Sequence, residues 1–317
     1  MKSVLILAGG GGHTGYGIML AEQLHGKVDL HFLAPSEDPL SRQLAEQYGT
    51  VDYLIKPRHP TTNFVLFFFR FIYAFFQAIS KVNRSYSCVI STGSNFCIPP
   101  SIIAWIKGIP LISIESVDKL TRPSKTAKYL QIIAKLTVLQ WEEQTMFLNG
   151  DVLGPFFSQN KEEPKNDGYI LITGGTYGYK ELLNASIDLP YESVVLQVGP
   201  LDPGIYQDKR PKWHIFANIP DFKKYLYRAD IVITPPGATA MEAYSLEKSI
   251  VIITYPDWSK AGSTEDAKLF AKKLSAPFIQ MITTDTLETA IHETKRRTRV
   301  ELKSGAILLA DYILNEF

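Results

Sequence analysis

Val4-Leu5-Ile6-Leu7-Ala8-Gly9-Gly10-Gly11-Gly12-His13-Thr14-Gly15 opens the chain with an apolar run, four glycines and a histidine, and leads into the helical stretch Tyr16 to Gln23. A strand that runs into glycines and then a helix start leaves backbone N–H groups facing whatever lies above the strand ends, with little side-chain bulk in the way. Such a loop seats an anion. His13, with an ordinary pKa near neutrality, can take a proton there.

Outward from this stretch, β-rich runs alternate with segments of helical period: Val28 to Leu33, Val51 to Ile55, Cys88 to Ser91, Leu111 to Ile114 and Thr137 to Leu139. Alternation of this kind predicts a parallel sheet covered on both faces. The polar stretch Ser158 to Gly168 interrupts it and reads as a linker. The pattern restarts with Tyr169 to Thr173, Val194 to Val198, Ile231 to Thr234 and Ile250 to Thr254. The expected fold is therefore α/β, with two doubly wound Rossmann-like parallel-sheet domains facing a cleft lined by strand carboxyl ends. The domains are expected at 1–156 and 169–317, with the linker at 157–168. The last helix, Leu302 to Asn315, can pack back on the first domain.

A chain of 317 residues suits two domains, and its 45% hydrophobic and 21% charged residues are those of a globular protein. A net charge of +1 offers no broad basic field for nucleic acid. Cys88 and Cys97 lie in apolar surroundings and read as reduced core residues of a cytoplasmic protein. The N-terminal apolar run is too short for a signal peptide or a membrane span. No Asp-x-Asp pair and no His/Cys cluster of metal spacing occurs, so neither metal nor cofactor is expected.

Gly10, Gly12 and Gly15 also spell G-x-G-x-x-G, with Glu37 and Asp38 near the end of the second strand, which keeps a nicotinamide enzyme open as an alternative. Two further stretches can hold a phosphate. Gly174-Gly175-Thr176 follows a strand directly, and Gly237-Ala238-Thr239 opens a helix whose N–H groups and positive dipole end would face a diphosphate. Glu242, one turn in, can accept from two ribose hydroxyls or complement the dipole. Glu115 ends the strand Leu111 to Ile114, where its carboxylate would enter the cleft or cap the next segment. Lys119, Arg122, Lys125 and Lys128 follow as a local cationic group.

Phe64 to Ile79 is almost wholly aromatic and aliphatic, while Asn63, Arg70, Gln77 and Arg84 recur every seven residues as one polar stripe. As a span, it would hold Arg70 inside the bilayer at a cost of roughly 2.5 kcal/mol or more. The favoured reading is a helix lying in the membrane interface, with Phe67, Phe68, Phe71 and Phe75 among the residues meeting lipid. A core helix or a subunit contact is the alternative. Arg58, His59, Lys81 and Arg84 suit headgroups.

Gly9 to Gly15, Ile109 to Ser116 and Val138 to Glu143 resemble the membrane-recruiting acceptor subunit of the eukaryotic enzyme that adds the second N-acetylglucosamine to dolichol pyrophosphate. Ile170 to Thr176 and Ala229 to Ala243 resemble its catalytic partner. Their order on one chain is also that of bacterial MurG and suits an archaeal-type fusion of the two subunits.

The resemblance implies a GT-B glycosyltransferase that moves GlcNAc from a UDP-sugar donor to a lipid-pyrophosphate-linked sugar, with inversion and without metal. It implies a peripheral protein on the inner face of the cell membrane. Donor contacts would come from Gly174, Gly175, Thr176, Gly237, Ala238, Thr239 and Glu242; acceptor contacts from Gly11, Gly12 and Thr14; and the base from His13 or Glu115, the other orienting it. Two positions depart from the family's pattern: Pro235-Pro236-Gly237 stands for His-Ala-Gly, and Thr264 to Ala267 stands where an Asp-Asn-His-Gln-like segment is expected. An oxidoreductase and a non-catalytic membrane scaffold remain rival readings, and a homo-oligomer stays open.

Overall fold

The protein is described from a computed structural model over residues 2–59, 62–159, 164–254, 262–295 and 300–317. It divides into two compact units, 1–156 with 303–317 and 157–302. Residues 160–163 of the expected linker lie outside the described residues.

The first unit runs β1 (Ser3–Leu7), α1 (Gly12–Leu24), β2 (Asp29–Pro35), α2 (Pro39–Ala45), β3 (Thr50–Leu54), α3 (Phe64–Lys81), β4 (Cys88–Ser91), α4 (Ile98–Ile106), β5 (Leu111–Ile114), α5 (Lys125–Leu130), β6 (Leu136–Leu139) and β7 (Asp151–Val152). The strands form one parallel sheet in the order β3-β2-β1-β4-β5-β6-β7. Val4 to Leu7 are all buried because the central strand is covered on both faces, so β1 reads as an unbroken apolar run. The order reverses between β1 and β4. In an open α/β sheet the crevice beyond the carboxyl ends at such a reversal is where ligands bind.

The second unit repeats the design with β8 (Ile170–Thr173), α6 (Lys180–Ile187), β9 (Val194–Gln197), α7 (Gly204–Gln207), β10 (His214–Phe216), α8 (Lys223–Arg228), β11 (Ile231–Thr234), α9 (Ala238–Ser245), β12 (Ser249–Ile253), α10 (Thr264–Lys273), β13 (Phe278–Ile279) and α11 (Thr284–Thr294). Its order is β10-β9-β8-β11-β12-β13, so the reversal falls between β8 and β11. Phe157 already packs on Tyr244 at 5.3 Å between ring centroids.

The last helix, α12 (Gly305–Glu316), belongs to the first unit, on which the sequence reading allowed it to pack back, although the 169–317 division counted it with the second domain. The Gly305 N–H donates to Pro155 O at 3.0 Å. Lys2 Nζ donates to Leu314 O at 2.6 Å, tying the helix end to the start of β1. The sequence pattern did not anticipate β7, β10 or β13. Each has two or three residues at or near a sheet edge, too few to show a period.

Candidate active site

The first reversal point is built by the loops after β1 and β4, and they interlock. Thr92 Oγ donates to Leu7 O at 2.7 Å and accepts from the Gly9 N–H at 3.2 Å. A β-carbon at Gly9 would lie 2.6 Å from Gly93 O, so only glycine lets the two loops touch. His13 stands where they meet. Its Nδ1 lies 2.8 Å from Thr92 O, and a carbonyl can only accept. The neutral ring therefore carries its proton on Nδ1 and leaves Nε2 as the acceptor, the tautomer a general base needs. Burial pushes the His13 pKa below its ordinary value; the Thr92 bond and Asp118 oppose this, while Lys56 and Lys119 add to it. Ser94, at φ 73°, holds the next turn in a left-handed conformation uncommon outside glycine.

The anion seat is narrower than four glycines suggest. The Gly9 N–H is taken by Thr92, and the Gly10 N–H donates to Thr14 Oγ1 at 3.1 Å. The Gly11 N–H leans on Asp38 Oδ2 at 3.4 Å. Thr14 is buried and shares a 2.7 Å hydrogen bond with Ser41, so it shapes the loop. Gly11 is likewise committed. Among the described residues the Gly12 and His13 N–H groups have no acceptor. A side chain at Gly12 would enter open space.

The same geometry weighs against a dinucleotide. Asp38 caps α2 by accepting from the Ser41 N–H at 3.0 Å and from Ser41 Oγ at 2.7 Å, which commits the acid a ribose would need. A β-carbon at Gly10 would lie 2.8 Å from Lys56 Nζ and 3.2 Å from Asp38 Oδ2, so the space beside the first glycine of the fingerprint is filled.

Glu115 does not enter a cleft. It is fully buried, and its carboxylate accepts from the Ser116 N–H at 2.6 Å and the Ser124 N–H at 2.8 Å. Both oxygens are spent closing the loop 116–124. Burial outweighs these bonds and raises its pKa to about 7. The loop is clamped from behind by residues whose role the sequence did not disclose. Gln144 Nε2 donates to Ser116 O at 2.9 Å and Lys119 O at 2.8 Å, and Trp141 Nε1 donates to Val117 O at 2.7 Å. Gln140 Nε2 reaches Glu115 O at 2.7 Å. The clamp presents Asp118 and Lys119, whose charges both act on His13. Tyr16 links loop and helix: its hydroxyl accepts from the Val117 N–H at 3.2 Å, and its ring stands edge-on to His13 at 6.2 Å.

At the second reversal point, the turn after β8 is fixed by a polar chain. Thr173 Oγ1 accepts from the Gly175 N–H at 2.9 Å and donates to Gln197. Gln197 Nε2 donates to Asn218 at 3.2 Å, and Asn218 Nδ2 donates to Thr176 O at 2.8 Å. Gln197 and Asn218 were not singled out in the sequence, since each is a lone polar residue at a strand end. A β-carbon at Gly174 would lie 2.7 Å from Tyr179 N, so this glycine packs the turn, while Gly175 and Thr176 face outward. Across the reversal, Gly237 (φ 140°) starts α9 with no side-chain cap and nothing within 4 Å of its β-carbon position. Ala238 and Thr239 form the first turn, and Glu242 is half-buried one turn on. Asp266, within the departing segment, is buried and caps α10 by accepting from the Ser263 N–H at 2.8 Å. Thr264 and Glu265 beside it are exposed.

Residues 169–304 match the glycosyltransferase family 28 C-terminal domain. The chain is similar to the crystal structure of Acinetobacter baumannii MurG, at 20% identity and a TM-score of 0.63 over 99% of both chains. It is similar at 13% identity and a TM-score of 0.63, again over 99% of both, to Methanocaldococcus jannaschii UDP-GlcNAc 2-epimerase in complex with UDP-GlcNAc and UDP. Anabaena HepE in complex with UDP aligns at 13% identity and a TM-score of 0.52, over 99% of this chain and 96% of that one. The fold is GT-B. By sequence, no curated protein matches. The family 28 match covers the turn after β8 and the start of α9.

On the other unit of this GT-B chain, α3 turns Arg70 and Gln77 of its polar stripe inward, while Asn63 and Arg84 at the stripe's two ends are exposed. Arg70 donates to Lys56 O at 2.8 and 2.9 Å and pairs with Glu37, and the Ile55 N–H donates to Gln77 at 2.9 Å. Asn63 caps the helix by accepting from the Leu66 N–H at 2.8 Å. Lys107 Nζ closes the other end on Ile79 O and Val82 O at 2.6 Å. Only Ala74 and Ala78 of the helix are buried, so it is not a core helix. Its length and composition suffice for a membrane crossing, but one face is engaged by protein. The exposed ring residues are Phe64 (80%), Phe68, Phe69 (64%), Tyr73 and Phe76 (65%). Of the residues expected to meet lipid, Phe68 is exposed, Phe67 and Phe71 are half-buried, and Phe75 packs against the core.

Proposed function

We propose that the protein transfers GlcNAc from UDP-GlcNAc to a sugar, itself GlcNAc by the family resemblance, on a polyprenyl or dolichyl pyrophosphate, inverting the anomeric centre without metal. The observation that carries this reading is His13: a histidine held in one tautomer by Thr92 O, on a loop otherwise free of side chains, in a chain whose other unit carries the family 28 domain. Nε2 of His13 takes the proton of the acceptor hydroxyl as its oxygen bonds to C1 of the donor sugar and the C1–diphosphate bond breaks. N–H groups at the start of α9 stabilise the departing diphosphate. Glu115 acts as a positioning residue through the 116–124 loop.

The protein lies on the inner face of the cell membrane through the outward face of α3. Each phenylalanine side chain that leaves water contributes roughly 1.5–3 kcal/mol, so four or five suffice for stable attachment. Exposed Arg58 and Arg84 near the two ends of the helix suit anionic headgroups.

The test is incubation with UDP-GlcNAc and a short-chain lipid-pyrophosphate-GlcNAc in EDTA, with products read by mass spectrometry. One added N-acetylhexosamine on the lipid is expected. Conversion of UDP-GlcNAc to its 2-epimer with no lipid product would instead place the chain with the epimerases that share its fold, and a thermal shift with NADH but not UDP would favour the oxidoreductase.

A further inference from the structure

Lys56 places its ammonium beside the glycine loop. It follows β3 and is half-buried; this burial pushes its pKa down, against the pull of Asp38 and Glu37. Its backbone is fixed on both sides, the N–H donating to Glu37 Oε2 at 3.2 Å and the carbonyl accepting from Arg70 at 2.8 and 2.9 Å. Its ammonium stands 2.8 Å from the β-carbon position of Gly10 and acts electrostatically on His13. Among the described residues no hydrogen bond or ion pair engages Nζ, although Asp38 lies beside the same glycine. Its attraction to Asp38 and Glu37 does not make up the desolvation cost of the half-buried ammonium, and a bound anion would offset the remainder.

We propose that Lys56 binds a phosphate group of the acceptor, completing a site whose other donors are the Gly12 and His13 N–H groups. The inference rests on the acceptor being a lipid pyrophosphate, as the proposed function has it. The site is joined to the outward-facing helix through one side chain, because Arg70 of α3 fixes the Lys56 carbonyl. The helix that meets the membrane thus also sets the cation that meets the lipid's phosphate. The absence of a side chain at Gly10 is what lets the ammonium reach the loop, since a β-carbon there would lie 2.8 Å from it.

The test uses the full chain. In transfer assays with short-chain lipid-pyrophosphate-GlcNAc, Lys56→Met is expected to raise the acceptor KM about 10-fold or more, and Lys56→Arg by less, with the donor KM unchanged within about twofold. An unchanged acceptor KM in a folded Lys56→Met protein overturns the proposal. A second measurement needs no variant: acetylation of Lys56 in the natural chain, followed by peptide mass spectrometry, should slow with added inorganic pyrophosphate. Equal rates with and without pyrophosphate overturn the proposal. So does protection by phosphatidylglycerol vesicles with none by pyrophosphate, which would assign Lys56 to membrane headgroups. If the natural chain transfers no sugar, the proposed function fails while the acetylation measurement still decides the role of Lys56.

Discussion

The Nδ1 of His13 and the carbonyl oxygen of Thr92 lie 2.8 Å apart, and this contact joins the loops of the two strands between which the first sheet reverses. It fixes both the ring and the tautomer. His13→Ala is expected to lower turnover roughly 100-fold or more with UDP binding intact, measured by initial rates and calorimetry. Gly93→Ala should act on the same ring from outside, since its β-carbon would fall 2.9 Å from Nδ1 at a backbone φ of 97°. Near-normal turnover in His13→Ala would remove the base from His13.

Because burial lowers the His13 pKa, the acid limb of kcat/KM should lie below the ordinary imidazole value of about 6.5. The sign for stability agrees: the unfolded chain binds the proton more readily, so acidification from about 6.5 down through the folded pKa destabilises the protein. A pH–rate profile whose limb lies above 6.5 contradicts this environment.

Glu115 titrates in the opposite sense. Its folded pKa of about 7 exceeds its unfolded value, so its contribution to stability falls as pH rises from about 4.5 through 7, by up to about 3 kcal/mol. Glu115→Gln lacks this dependence. Between pH 5 and pH 8, urea unfolding should show the variant gaining relative to the natural chain. The rate profile of Glu115→Gln should keep the His13 limb; loss of that limb would return the base to Glu115.

Replacing Phe64, Phe68, Phe69 and Phe76 by serine should abolish binding to anionic liposomes in a sedimentation assay while leaving the melting temperature nearly unchanged, because those rings face solvent. Phe75→Ser should do the reverse. It packs against the core cluster, and its loss should cost about 2–4 kcal/mol.

Gly237→Val should weaken UDP binding about 10-fold or more by calorimetry, since the new side chain would fill the open space at the start of α9 and leave positive φ strained. His13 chemistry on the other unit offers no compensation, so transfer should fall in parallel. Unaltered UDP affinity would move the diphosphate elsewhere.

The amino-acid order alone determined the class of fold and the places of its loops. Val4 to Leu7 and Ile170 to Thr173 are apolar without interruption because central parallel strands are buried on both faces, and the glycines that follow them mark turns at strand carboxyl ends. Those signals are local, so they survive in one dimension. The sequence also showed that α3 has a narrow polar stripe. Only the tertiary structure decided that Arg70 and Gln77 of the stripe face inward, because their partners Glu37, Ile55 and Lys56 belong to other segments. It likewise decided between the two readings of Glu115, in favour of the carboxylate that closes the following loop, and showed that Thr14 braces Gly10. Thr92, Asp118 and Lys56 carried no motif. What brings them to His13 is the strand order, which sets the ends of β1, β3, β4 and β5 around one point, and a neighbour chosen by sheet topology leaves no period or spacing in the chain.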